Sequence, residues 1–293
     1  MFPLFLTAAG VLSLVLYRVL VIKLQLHSPL LKLRLLALVS ISVFLSCVAT
    51  GPKGNKSFIF IDSATEISLG KQAEKQVLAQ TKTLADADWQ SYVNKVGQSL
   101  AKFSQRKDLT YSFTVLNSKE INAFALPGGP LYIYTGLLKL MDDEAELASV
   151  LGHEIGHVDG HHAVRQMQPV VGLSAIEALA FGENSPAAQQ ALNMVLGIAL
   201  TGYGRGQELE ADQFGLFYTH KAGYDPAGAV RVFKKLAALP GAEKGDRNFF
   251  EKLSATHPET KERIAKLEAE TKKLPPGGKT NRETFQKMKK RLP

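Results

Sequence analysis

One cysteine, Cys47, stands in a chain of 293 residues, so no intramolecular disulfide can form. Stability has to come from a buried core, and this length suffices for one large domain with accessory segments. Acidic residues are missing from one end and nearly so from the other. Residues 1–46 carry Arg18, Lys23, Lys32 and Arg34 with no acid, and residues 272–293 carry eight Lys or Arg against the single Glu283. The ends hold +4 and +7 of a net charge of +8, which leaves residues 47–271 at −3. A nucleic-acid-binding domain carries its basic residues on the folded surface, so no nucleic-acid partner is expected. An internal repeat is absent as well. In the body the most hydrophobic portion, "ALNMVLGIALTGYG", is too short for a membrane span, which needs about 20 residues.

Long apolar stretches do occur at the N-terminus. "FPLFLTAAGVLSLVLYRVLVI" is broken only by Arg18, and "LLALVSISVFLS" follows Lys32 and Arg34 and stops at Cys47. The second has the layout of a secretory signal: a positive region, a short apolar region and a small residue before the cut. "FLSC" resembles a bacterial lipobox, which makes Cys47 the candidate lipidation site. The first stretch is either a transmembrane helix or a product of an early start codon. Both alternatives put the body outside the cytoplasmic membrane or on a membrane surface. Val48 after the cysteine favours the outer membrane, by similarity to enterobacterial lipoprotein sorting. The expected organisation is an apolar signal segment at 1–46, a polar tether at 47–62, the main domain at 63–271 and a basic tail at 272–293. In that tail Lys287, Lys289, Lys290 and Arg291 would rest on anionic lipid or simply face solvent.

Periodicity predicts a helix from Asp62, with Ile67, Leu69, Ala73, Val77 and Leu78 apolar, and a second at 87–104 with Trp89, Val93, Val96 and Leu100 on one face. "LTYSFTVLNS" and "PLYIYTG" read as strands, with a turn at "LPGG". A helix is expected from about Asp143 to Arg165, headed by an Asp143–Glu146 capping box. Further helices follow at about 206–222, 226–239 and 259–272. The fold class is α+β, mostly α, with a small sheet.

Four of the seven histidines fall within "LGHEIGHVDGHH" at 151–162. His153 and His157 are four apart, one turn along the same helix face, which lets two imidazoles reach one zinc ion. Glu154 stands beside the first, where its carboxylate can reach a metal-bound water, the HExxH arrangement. A third ligand is required. In the metzincin pattern it would fall on Ala163. His161, one turn further along a straight helix, would stretch the set over about 11 Å, so His161 and His162 read as helix-end residues or as supports behind the ligands. "GRGQELEADQFG" offers Glu208, delivered by a crossing helix, with Asp212 one turn on to hydrogen-bond a ligand histidine from behind. Glu210, at i+2 from Glu208, faces elsewhere.

Together "NAFALPGG" (122–129), "LGHEIGHV" (151–158), "GRGQELEADQFG" (204–215), "AGYDP" (222–226) and "THPETKER" (256–263) resemble the zinc metallopeptidases that include HtpX and the CAAX prenyl proteases, a gluzincin group, and within it the periplasmic lipoprotein-type members. The resemblance runs from about Ile67 to the C-terminus. It implies one Zn2+ per chain held by His153, His157 and Glu208, with Glu154 as general base and Asp212 supporting a ligand. His257 and Arg263 would lie at the active site, stabilising the intermediate or regulating access. The transmembrane helices that integral-membrane relatives carry between the second histidine and the glutamate are missing here, so a membrane-embedded chamber and prenylated substrates are not implied.

The expected chemistry is peptide-bond hydrolysis. "PLYIY", with Leu131, Tyr132 and Ile133, would flank the cleft and pair through its edge with extended or unfolded polypeptides. Clearance of misfolded envelope proteins is the expected task. The alternative is a metalloprotease fold that acts as a chaperone or assembly adaptor with gated proteolysis, although an adaptor has no need of Glu154.

Overall fold

The structure is a computed structural model and describes residues 28, 47–52, 54–59, 61–169, 186–239 and 261–293. The chain divides into two units. In the first, β1 (Cys47–Thr50) and β2 (Asn55–Phe58) pair antiparallel, with Cys47 opposite Phe58. The stretch read as a polar tether is therefore a hairpin for most of its length, turned at a glycine-containing loop.

The second unit runs from Ile61 to Pro293, together with Gly51–Lys53. Asp62 accepts from the Thr65 amide and starts α1 (Ser63–Gln80), which buries Leu69, Gly70, Ala73 and Val77. Leu78 stays exposed. Asp86 caps α2 (Ala87–Ala101) through the amides of Asp88 and Trp89, and Trp89, Val93, Val96 and Leu100 are buried as a single face. A three-stranded sheet follows, with β3 (Ser112–Leu116), β4 (Ala123–Ala125) and β5 (Pro130–Tyr134). Its order is β3-β5-β4, with β5 parallel to β3 and antiparallel to β4. Gly128 and Gly129, at φ 78° and 111°, turn the chain between β4 and β5, where a side chain would be strained.

After α3 (Thr135–Leu140), Asp143 caps α4 (Glu144–Asp159) by accepting from the Glu146 amide. The predicted box closes only halfway, because the Glu146 carboxylate accepts from the Asp142 amide instead. α4 is buried along its whole length and packs against α2, β4 and α6 (Arg205–Lys221). The predicted continuation of α4 to Arg165 is interrupted. Gly160 caps the helix, His161 takes φ 50°, and a separate helical segment occupies 162–169. α5 (Pro186–Thr201) packs on α1 and β4. No helix among the described residues is long and apolar enough to cross a membrane. α7 (Ala227–Ala237) covers α4 and is itself covered by α8 (Lys261–Thr271).

The C-terminal segment is part of this unit rather than a free basic tail. α9 (Arg282–Lys289) buries Phe285 completely, edge-on to Trp89, and the Trp89 indole donates to the Met288 carbonyl. Lys289 donates to the Met141 carbonyl, and Arg291 pairs with Asp86 and Asp88. Of the four cations expected at a lipid surface, two are thus bound to the protein itself.

Candidate metal centre

α4 and α6 approach closely because both carry small residues where they meet. A Cβ on Gly215 would lie 2.8 Å from the His153 amide nitrogen, and one on Gly156 would lie 3.0 Å from the Ala211 carbonyl oxygen. His153 and His157, each next to a contact glycine of α4, and Glu208, one turn before Ala211 on α6, therefore converge. All three are buried, Glu208 completely.

The ligand atoms of these three residues lie within 4.8 Å of one another. The Nε2 atoms of His153 and His157 are 3.0 Å apart. Glu208 Oε2 is 3.4 Å from His153 Nε2, and Oε1 is 3.5 Å from His157 Nε2. Ligands on a tetrahedral ion with bonds of ~2.1 Å stand about 3.4 Å apart, so the residues present fit a zinc-sized cation. Electrostatics agrees. Burial disfavours an imidazolium at His153, yet the carboxylates of Asp212 and Glu208 outweigh it and push its pKa up to about 10. The cluster is built to stabilise positive charge.

Asp212 and Arg263 pack around this set. His153 Nδ1 lies 3.0 Å from Asp212 Oδ1, the geometry that leaves Nε2 for a metal. Arg263 is 1% exposed and does not face solvent as a substrate-contacting residue would. Its Nε and Nη2 donate to the two oxygens of Asp212 at 2.8 and 2.7 Å, its Nη1 lies 2.8 Å from Glu208 Oε2, and its guanidinium stacks over Phe233. Arg263 thus bridges Glu208 and Asp212 at the centre itself. Burial raises the Asp212 pKa, but the Arg263 hydrogen bonds and charge outweigh it and hold the carboxyl below its ordinary value.

Glu154 is 2% exposed, on the turn that carries His153. Tyr203 lies near it. Burial first, then the charges of Glu154 and Glu208, push the Tyr203 hydroxyl pKa well up. The Tyr203 ring stacks on His157 at 3.9 Å and 17°. Sequence reasoning passed over this tyrosine, since nothing in "TGYG" indicates a ring packed on a histidine 46 residues earlier.

Other expectations fare differently. β5 is hydrogen-bonded on both sides, and Leu131, Tyr132 and Ile133 are each 1% exposed. A substrate strand cannot pair there, so the assignment of these residues to substrate binding is corrected; the sheet's edge near α4 is β4. Tyr132 instead donates from its hydroxyl to Glu74. His257 falls outside the described residues. Cys47 begins β1, apart from the centre in sequence and in unit.

His161 and His162 are not ligands of this set. His161 joins a buried cluster in which Arg106 Nη1 contacts its ring at 3.1 Å and Glu66 at 2.9 Å. His162 Nδ1 lies 2.8 Å from His157 Nδ1. Burial lowers the His162 pKa, against the opposing pull of Glu210.

Two histidines and a glutamate on crossing helices, with a second glutamate inside HExxH, define a gluzincin-type metallopeptidase site. The sequence profile of peptidase family M48 matches residues 88–271, and the chain belongs to that family. It is 29% identical over 220 residues to the mitochondrial metalloendopeptidase OMA1 of Arabidopsis thaliana, covering 69% of this chain and 44% of that one. It is 29% identical over 210 residues to the beta-barrel assembly-enhancing protease of Escherichia coli, covering 68% and 42%. Metalloprotease LoiP of Escherichia coli is 30% identical over 220 residues, covering 69% of this chain and 85% of its own length. The matched part thus spans less than half of the first two relatives.

Proposed function

We propose that the chain is a zinc metalloendopeptidase of the bacterial cell envelope that hydrolyses unfolded or misassembled proteins, held at a membrane by lipid on Cys47 or by an N-terminal apolar helix. The observation that carries the reading is the ligand triangle of His153, His157 and Glu208, with its 3.0–3.5 Å edges and Glu154 in the adjoining position. Two relatives, whose names describe a metalloprotease and a protease that enhances β-barrel assembly, support the setting.

Zinc held by His153, His157 and Glu208 would supply Lewis acidity at this site. Glu154 would accept the proton of the water that attacks the carbonyl carbon. The same carboxyl then hands the proton to the departing amine as the C–N bond breaks, so no net proton is retained. Asp212 and Arg263 hold the ligand histidine and Glu208 in place, and Tyr203 covers one face of His157. His257 is assigned to oxyanion stabilisation by resemblance alone. Pairing with an extended substrate falls to β4, beside which α5 packs.

The test uses the full-length chain purified from membranes, with bound zinc and casein cleavage measured side by side. Wild type is expected to bind one zinc and cleave, Glu154→Gln to keep zinc and lose at least about a hundredfold in rate, and Glu208→Ala to lose the metal. Full zinc affinity in Glu208→Ala would remove the third ligand from the assignment. Zinc binding without cleavage in wild type would favour the adaptor reading.

A further inference from the structure

His153 meets a carboxylate at Nδ1, as metal-bound histidines usually do. At His157 Nδ1, among the described residues, a second histidine stands in the corresponding place. The chain reverses at His161, whose φ of 50° ends the run of α4 and brings His162 back against the ligand it follows by five residues. His162 is 0% exposed. Its Nδ1 is 2.8 Å from His157 Nδ1, and its Nε2 is 3.2 Å from Glu210 Oε2. Glu210 Oε2 also accepts from Arg165 Nη1 at 2.7 Å, and Arg165 reaches back to the Gly160 carbonyl. Gln207 donates to the His162 carbonyl, tying the reversed segment to α6.

We propose that His162 and Glu210 form a relay that orients His157, with His162 standing where a carboxylate would normally accept the ligand's proton. The proposal rests on the zinc reading above. Proton bookkeeping leaves one polarity compatible with it. A His157 that ligates through Nε2 carries its hydrogen on Nδ1 and must donate it. His162 then accepts at Nδ1, carries its own hydrogen on Nε2 and donates that to Glu210. Glu210, anchored by Arg165, selects this tautomer of His162. With no acceptor at His162, the His157 hydrogen is free to sit on Nε2, facing Glu208 and blocking the ligand atom. His162 and Glu210 are thus positioning residues that act through His157 and do not touch substrate.

The experiment compares zinc dissociation constants, by chelator competition, and the visible spectrum of cobalt-loaded full-length protein. Wild type, His162→Phe, His162→Asn and Glu210→Ala are compared, each with its melting temperature. His162→Phe keeps the bulk and removes the acceptor; a 10–100-fold loss of zinc affinity with a changed cobalt spectrum is expected. His162→Asn places an amide oxygen near the lost Nδ1 and is expected to recover most of that affinity. Glu210→Ala leaves His162 in place and is expected to weaken zinc several-fold, which keeps the proposal testable even if the His162 variants fold poorly. Unchanged affinity and spectrum in His162→Phe or in Glu210→Ala, with wild type binding zinc, overturn the relay. Failure of wild type itself to bind zinc overturns the metal reading on which it rests.

Discussion

Glu208 and Glu210 stand two residues apart on α6 and face different partners, Glu208 the two histidines of HExxH and Arg263, Glu210 the ring of His162 and Arg165. Helical phase explains the separation, since i and i+2 point about 200° apart. A second polar cluster, around Arg106, makes a pH prediction. The Arg106 hydrogen bond, opposed by burial, lowers the Asp108 pKa from 3.8 to about 2. A depressed carboxyl contributes stability that is present above its unfolded pKa and lost as pH falls through the folded one, so the window is about pH 4 to 2. The Asp108 side chain is 42% exposed, and solvent screening keeps the contribution small. Melting temperature should therefore fall slightly more steeply between pH 4 and 2 in wild type than in Asp108→Asn. Parallel curves would show that this pair adds nothing to stability.

At the scale of elements, the centre depends on how closely two helices can approach. Gly152 and Gly156 on α4 face Ala211 and Gly215 on α6, and backbone stands where larger side chains would go. Gly215→Val puts a branched side chain against the His153 backbone, and α6 must move outward. The expected result is a loss of about 1–3 kcal/mol in chemical unfolding. Glu208 moves with α6, so zinc affinity should fall together with stability. Stability lost without any change in zinc affinity would mean that the helix spacing does not set the ligand triangle. The break after α4 matters equally. Had the helix run on to Arg165, as its sequence pattern suggests, His161 and His162 would have trailed away along the axis. The left-handed turn at His161 returns them to the protein, one to Arg106 and the other to His157.

Across the whole molecule, the segment after Thr271 lies beyond the stretch matched by the M48 profile and closes back on the domain. Glu144, at the start of α4, is buried and accepts from the hydroxyls of Tyr92 and Tyr224 and from the Asn281 amide, so α2, α6's exit and the C-terminal segment meet at one carboxylate. Phe285 fills the adjoining apolar space beside Trp89 and Tyr92. Phe285→Ala is expected to cost about 3–5 kcal/mol in chemical unfolding, the range for a large buried side chain. A change under about 0.5 kcal/mol, the size seen for surface positions, would return residues 272–293 to the status of a tail.

Much of this was legible in the order of residues alone. HExxH spacing nominated two candidate ligands and a candidate base because a helix repeats every 3.6 residues, and a local rule suffices where both partners share one helix. The same holds for the cap at Asp143 and for the buried face of α2. Glu208 and Asp212 could be nominated by their i, i+4 spacing, but only the crossing of α4 and α6 joins them to the histidines. Nothing local ranks three strands, so β5 read as an edge until its two hydrogen-bonded neighbours made it the centre of the sheet. The tasks of Arg263, Tyr203 and His162 depended on contacts between residues about 5 to 60 positions apart. Such contacts follow from where the chain turns and how the elements pack, and those are decided by the sum of many weak interactions rather than by any one stretch.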